Sequence, residues 1–318
     1  MRTVSILLPS LARCATSASV ANGTLACWIA RGDPLPAAAP GLEGALRALF
    51  EWTGQSLPSA ALTRQADLGD AQDAVWIRAD PAHVRADMTT ARMLACGALG
   101  LSIDECAALG RDLKPMFGDS GLLLDMPRPD RCYLRALPGS ELPSMADPDD
   151  VIGDDLKLHL PAGAAGRRWR VLFNEVQVLL HHHAVNAQRA RRGAVAVNAL
   201  WFWGAGRLPD RVRTALTGVC SNDPVILALA GLAGVAVAAP DPDATLSAID
   251  AQREGALLID LLDQRGDGLE THWLQPLARR LDRRRVDALD LIFASGQRQR
   301  VAPMHRWRLW RRLRSVSA

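Results

Sequence analysis

The chain of 318 residues has one tyrosine beside nine tryptophans, and only Lys114 and Lys157 are lysines among its 37 basic residues. The six cysteines stand at positions 14, 27, 96, 106, 132 and 220. No C-x-x-C pair and no zinc-type spacing occurs among them, which excludes a zinc ribbon or a dithiol redox motif and favours a reduced, cytoplasmic setting. Long apolar runs are absent too, since none reaches the roughly 18 residues that a membrane-spanning helix needs. No G-x-S-x-G elbow, P-loop or Cys–His arrangement is present. A formal net charge of +3 is too small to imply a polyanionic partner by itself. At the start, Val4 to Ala12 mimics a short signal peptide and Leu11 to Cys14 a lipoprotein site. Arg13 interrupts both. We read this stretch as a first β-strand.

What is present is an ordinary globular balance, 49% hydrophobic and 22% charged residues, on a length sufficient for one large or two smaller domains. Short apolar strands are expected at Ala74–Ile77, Arg131–Leu137 and Leu200–Trp203. Helices are expected over Leu42–Trp52, from about Met88 to Leu113, and over Val171–Leu180. From Pro224 the pattern becomes regular: helix to Leu232, strand Val235–Ala239, helix Ala244–Gln252, strand Ala256–Leu262, helix Leu269–Arg284 and a last strand Ala288–Ala294. Such alternation implies a doubly wound, mostly parallel α/β sheet covered by helices on both faces. Residues 1–70 and 196–318 would form this core, with the strand near 200 in its sheet, and residues 71–195 an inserted α+β lobe.

The most informative stretch is Asn174 to Pro209. Val176, Leu179 and Leu180 recur at helical spacing. A polar turn over His183–Asn186 and a basic linker follow, then a buried strand, Asn198–Trp203, closing in Gly204-Ala205-Gly206. The order His183-x-Val185-Asn186, Gly193, Asn198-x-Leu200, Gly204-x-Gly206 and Pro209 resembles the archaeal type of cofactor-independent phosphoglycerate mutase. With Val75–Arg85 and Leu200–Gly206, the chain is also similar to bacterial RpfE-type regulatory proteins. The resemblance implies an alkaline phosphatase-like fold with a two-metal centre. In that family the first strand ends in Asp-Gly, a later strand is followed by Asp-x-x-x-His, and the final strand runs into an Asp-His pair. Here Ile6–Leu8 runs into Pro9-Ser10, and Leu291–Ala294 into Ser295-Gly296. Asp263, Asp267 and His272 do not reproduce the middle motif, and the one Asp-x-x-x-His in the chain, Asp155 to His159, lies far upstream. No metal or other cofactor is therefore expected.

Function is read as non-catalytic: a regulatory or ligand-binding pseudoenzyme holding a phosphorylated small molecule or a protein partner. An active phosphoglycerate mutase or phosphatase with displaced metal ligands is the second reading. The anion site is expected between the lobes, lined by Arg78, His83, Arg85, His183, Asn186, Asn198, Gly204, Gly206 and Arg207, because arginine forks and backbone N–H groups suit phosphates. Three consecutive imidazoles, His181–His183, fit a helix C-terminus better than a metal site. Trp307, Trp310 and Leu313 repeat at i, i+3 and i+6 among Arg306, Arg308, Arg311 and Arg312. That spacing predicts a helix that either docks on the sheet or meets a nucleic acid or an anionic membrane surface.

Overall fold

The structure, a computed structural model, describes residues 1–14, 23–88, 90–137, 140, 142, 144–251, 254–264 and 266–311. They form two compact units, one of Met1–Thr53 with Asp210–Ala318 and one of Gly54–Pro209. Along the chain the strands are β1 (Arg2–Leu8), β2 (Asp33–Pro34), β3 (Phe50–Trp52), β4 (Val75–Ala86), β5 (Ala91–Cys96), β6 (Leu122–Asp125) and β7 (Tyr133–Ala136). Then come β8 (Ala199–Gly206), β9 (Val212–Thr214), β10 (Gly218–Cys220), β11 (Ala236–Ala238), β12 (Gly255–Asp260), β13 (Ala288–Phe293) and β14 (Arg298–Val301).

The first unit carries the expected α/β sheet, in the order β11-β10-β12-β1-β13-β14-β2. Its first five strands are parallel, with Ile6 beside both Ile259 and Leu291. Val4, Ile6, Leu7 and Leu8 of β1 and Leu289, Leu291, Ile292 and Phe293 of β13 are buried, because parallel strands between helical layers have no solvent face. Residues 288–294 are not the last strand: Gly296, at φ +91°, turns the chain into antiparallel β14. Between Leu42 and Trp52 only Gly41–Arg47 is helical, and Phe50–Trp52 pairs with β9. No described helix is long and apolar enough to cross a membrane.

The second unit is built on an antiparallel sheet, β5-β4-β7-β6, with β8 on the other edge of β4. Here lies the chief departure from the sequence reading. The strand near 200 does not join β1; it pairs with β4 from Ala82↔Ala199 to Trp76↔Gly206. An apolar run announces a buried strand without naming its partner, and here the partner is the 12-residue β4. Pro81 is tolerated inside β4 because its missing N–H would face the gap where β5 pairing ends and β7 pairing begins. The helices Ile103–Asp119 and Gly163–His181 join the sheet in one core with Phe117, Trp169, Phe173, Trp201 and Phe202. The helix Ser59–Leu68 covers Trp76 and Tyr133 in a second.

Residues 91–96 are strand, so the expected helix from Met88 starts at Ile103, where Ser102 and Glu105 form a capping box. His183–Asn186 is not a turn either. His183 caps a further helix, Ala184–Arg191, which occupies the supposed basic linker.

Candidate functional site

In the α/β unit, the carboxyl ends of the parallel strands are where ligands of open sheets sit. β1 delivers Pro9 and Ser10, whose hydroxyl accepts from the Arg13 amide at 3.3 Å. β13 delivers Ser295, which accepts the Leu11 amide at 3.3 Å. β12 ends in Asp260, a single carboxylate already engaged, accepting from the Ser221 hydroxyl at 2.7 Å and the Leu262 amide at 3.1 Å. Burial raises its pKa against the opposing Ser221 hydrogen bond. Asp223, after β10, accepts the Val225 and Ile226 amides at the start of the helix Pro224–Leu232. Among the described residues no three His, Cys, Asp or Glu side chains gather as a metal would require. Two divalent cations need several carboxylates and imidazoles converging at these ends. The donor set here does not fit them.

The nine expected anion-site residues lie in the Gly54–Pro209 unit and do not gather in one place. Arg78 is 4% exposed and forms a two-point ion pair with Asp80, Nε at 2.9 Å and Nη2 at 2.7 Å. The same carboxylate accepts Trp203 Nε1 at 2.7 Å and the Cys132 amide at 3.2 Å, and Arg78 also donates to Thr63 at 3.3 Å. With its guanidinium thus closed into the core, Arg78 cannot line an open site. Gly204 and Gly206 serve packing. A Cβ on Gly204 would stand 2.8 Å from the Ser59 Cβ, and one on Gly206 2.6 Å from the Pro58 Cβ. Gly204→Ala, at φ +61°, is expected to cost about 1–3 kcal/mol in denaturant unfolding.

His83, Asn186 and Asn198 hold the chain together at the other end of the β4–β8 ladder, about 20 Å away at 3.3 Å per residue. Asn198 exchanges two hydrogen bonds with the Val84 backbone, at 2.8 and 2.7 Å, beside a bulge in β4. His83 Nδ1 lies 2.9 Å from the Ala196 carbonyl. Asn186 donates to the Leu180 and Val197 carbonyls, both at 2.7 Å, and accepts the Val197 amide at 2.9 Å. Of the residues that carry the mutase resemblance, Asn186 thus forms a latch joining two helices to the segment that enters β8, and Asn198 ties that segment to β4. Arg85 and Arg207 are exposed.

Beside this latch a groove of about 620 Å³ opens between the start of the helix Ile103–Asp119 and the turn from Gly163–His181 into Ala184–Arg191. His183 lines it, with Nδ1 accepting the Val185 amide at 3.2 Å and Nε2 3.0 Å from Asp112. This geometry places the proton on Nε2. Glu105 forms the inner wall, bound by Arg189 at 2.9 Å and by Arg192. Burial acts to raise its pKa, but the Ser102 amide and the two arginines outweigh it and hold the carboxyl below its ordinary value. With Glu105 and Asp112 paired, Arg111, His182 and Gln188 remain as exposed donors on the rim, facing one further carboxylate, Asp104. Sequence reading missed Arg111, Gln188 and Arg192, because isolated polar positions on helix surfaces look like solvated faces.

No family model matches the chain. Over 66 residues, 21% of its length, it is 33% identical to the probable 2,3-bisphosphoglycerate-independent phosphoglycerate mutase of Geobacter sulfurreducens, of which that segment covers 16%. Over 66 residues it is 32% identical to the 2,3-bisphosphoglycerate-independent phosphoglycerate mutase of Methanothrix thermoacetophila, covering 17% of that protein. The matched segment is thus about one sixth of either relative. Among solved structures, the chain is similar to the cofactor-independent phosphoglycerate mutase from Thermoplasma acidophilum, with a TM-score of 0.38, 15% identity and coverage of 95% of this chain and 90% of that one. It is also similar to the PH0037 protein from Pyrococcus horikoshii, with a TM-score of 0.42, 12% identity and coverage of 94% and 86%. Likeness at this level says nothing of activity.

Proposed function

We propose that the chain is a non-catalytic, phosphoglycerate mutase-like protein with a regulatory role of the kind its resemblance to RpfE-type proteins implies. It holds a small phosphorylated or carboxylated anion without turning it over. The observation that supports this reading is the carboxyl edge of the parallel sheet. Pro9, Ser10 and Ser295 stand at the ends of its two central strands, and Asp260, which closes β12, is tied to Ser221. A two-metal phosphoryl-transfer centre uses several converging carboxylates and imidazoles, whereas this edge offers hydroxyls, the engaged Asp260 and the helix-capping Asp223.

The anion is assigned to the groove lined by Arg111, His182, His183 and Gln188, where imidazole, amide and guanidinium donors surround a concave space. Two measurements on the purified protein test this. Metal analysis should find no stoichiometric manganese, zinc or magnesium, and phosphoglycerate mutase turnover should be undetectable with each metal added. Bound metal with metal-dependent turnover would instead establish the enzyme reading. In a thermal-shift series, 3-phosphoglycerate at 100 times its Kd should stabilise the fold by about 2.7 kcal/mol through mass action. Arg111→Ala should remove that shift while leaving the melting temperature without ligand unchanged. A shift that survives Arg111→Ala would place the anion elsewhere.

A further inference from the structure

The segment Met304–Arg311 is absorbed neither by the fold nor by the groove. In place of the expected helix, Pro303–Trp307 is a 3₁₀ turn followed by irregular chain to Arg311, and Arg312 and Leu313 lie outside the described residues. One side of the segment is fastened down. His305 is 4% exposed, with Nε2 3.1 Å from Asp33 and Nδ1 accepting the Ala302 amide at 3.2 Å. Arg308 donates to both Asp33 oxygens and, at 3.0 Å, to the Arg31 carbonyl. Arg311 donates to the Gly32 carbonyl at 2.7 Å. Arginine hydrogen bonds and Coulomb attraction from His305 and Arg308 hold the Asp33 carboxyl below its ordinary value against desolvation.

The other side faces water, and it is apolar. Met304, Trp307, Leu309 and Trp310 are 68%, 66%, 68% and 76% exposed. Two tryptophans, a leucine and a methionine so exposed within seven residues form the kind of patch that marks an interaction surface. Its surroundings are cationic. Arg306 stacks on the Trp307 ring at 4.9 Å and reaches Asp282 at 3.5 Å, and Asp282 is followed directly by exposed Arg283, Arg284 and Arg285. A single-stranded nucleic acid would use the tryptophan faces by stacking, which engages two of the four apolar side chains. A bilayer interface takes all four, with indoles at the headgroup level, aliphatic side chains just beneath and arginines on anionic phosphates.

We propose that this patch is a docking surface for an anionic lipid bilayer, presented by the clamp of His305, Arg308 and Arg311 on Asp33. The membrane is bound at its surface and not crossed, and the small-anion groove in the other unit plays no part. The test is co-sedimentation of the whole chain with vesicles of phosphatidylcholine alone or mixed with phosphatidylglycerol. Binding is expected only to the mixed vesicles and should weaken with added salt. Trp307→Ala/Trp310→Ala, and separately Leu309→Gln, should lower the partition coefficient at least about tenfold with no change in melting temperature, because these side chains carry the interfacial insertion. Arg306→Gln should weaken binding to the mixed vesicles. Failure to sediment with anionic vesicles, or equal sedimentation of the double tryptophan variant, overturns the proposal. It is likewise overturned if that variant instead abolishes self-association or the retention of single-stranded DNA while lipid binding is absent.

Discussion

Arg78→Ala is expected to destabilise the Gly54–Pro209 unit by about 3–5 kcal/mol, the usual consequence of removing one member of a buried ion pair. The side chains of Arg78 and Asp80 are 5% and 3% exposed, so water cannot replace a lost partner. Asp80→Ala should cost at least as much, because it strands a guanidinium, the Trp203 indole N–H and the Cys132 amide together. The Arg78 guanidinium also lies 5.0 Å from the Trp203 ring centre and 5.6 Å from that of Tyr133, so its loss removes packing as well as charge. The double variant should lose less than the sum of the two single ones, since each single change already breaks the same pair. Hydrogen exchange at the β4 amides measures the effect on this unit directly. A loss below about 1 kcal/mol for Arg78→Ala would mean that the pair is hydrated, and would return Arg78 to the candidates for ligand binding.

Arg78 marks where local sequence evidence ends. A polar cluster such as Arg78-x-Asp80-x-x-His83-x-Arg85 looks like a solvated turn or a ligand site, because side chains alternate along a strand whose two faces are unknown. Once β4 is the central strand of a five-stranded sheet, Arg78 and Asp80 share one covered face and must pair. The parallel half of the fold was legible for the converse reason. β1, β12 and β13 are mostly apolar strands, and the last two alternate with helical patterns, which implies a parallel sheet covered by helices. The strand near 200 carries the same local signal, yet only tertiary pairing assigns it to β4. The C-terminal helix failed because Trp307 and Trp310 have helical spacing with nothing to bury against, while Asp33, distant in sequence, gathers His305, Arg308 and Arg311 around itself. The groove was nearly invisible, since its donors come from three helices and only His183 belongs to a recognisable pattern.

Asn186 is 8% exposed and uses both ends of its amide, the nitrogen on two carbonyls and the oxygen on one N–H. No other side chain of its size offers two donors and an acceptor in that plane. Asn186→Asp keeps the shape and the acceptor but sets a carboxylate against the Leu180 and Val197 carbonyls. About 3 kcal/mol of stability should be lost at neutral pH, from an unpaired buried charge and two carbonyls without donors. The introduced carboxyl is destabilised in its charged form, so its pKa in the folded state lies above that in the unfolded chain. The penalty is therefore complete above the folded-state value and shrinks as pH falls through it, when a protonated carboxyl can donate to one carbonyl. Asn186→Ala, which introduces no charge, should lose stability without this pH dependence. Urea unfolding of the three proteins at neutral and mildly acidic pH separates the cases. If Asn186→Asp is as stable as the parent at neutral pH, the latch does not join the helix end at Leu180 to β8 as described. The place of Asn186 in the mutase resemblance would then have to be explained by a ligand, not by the fold.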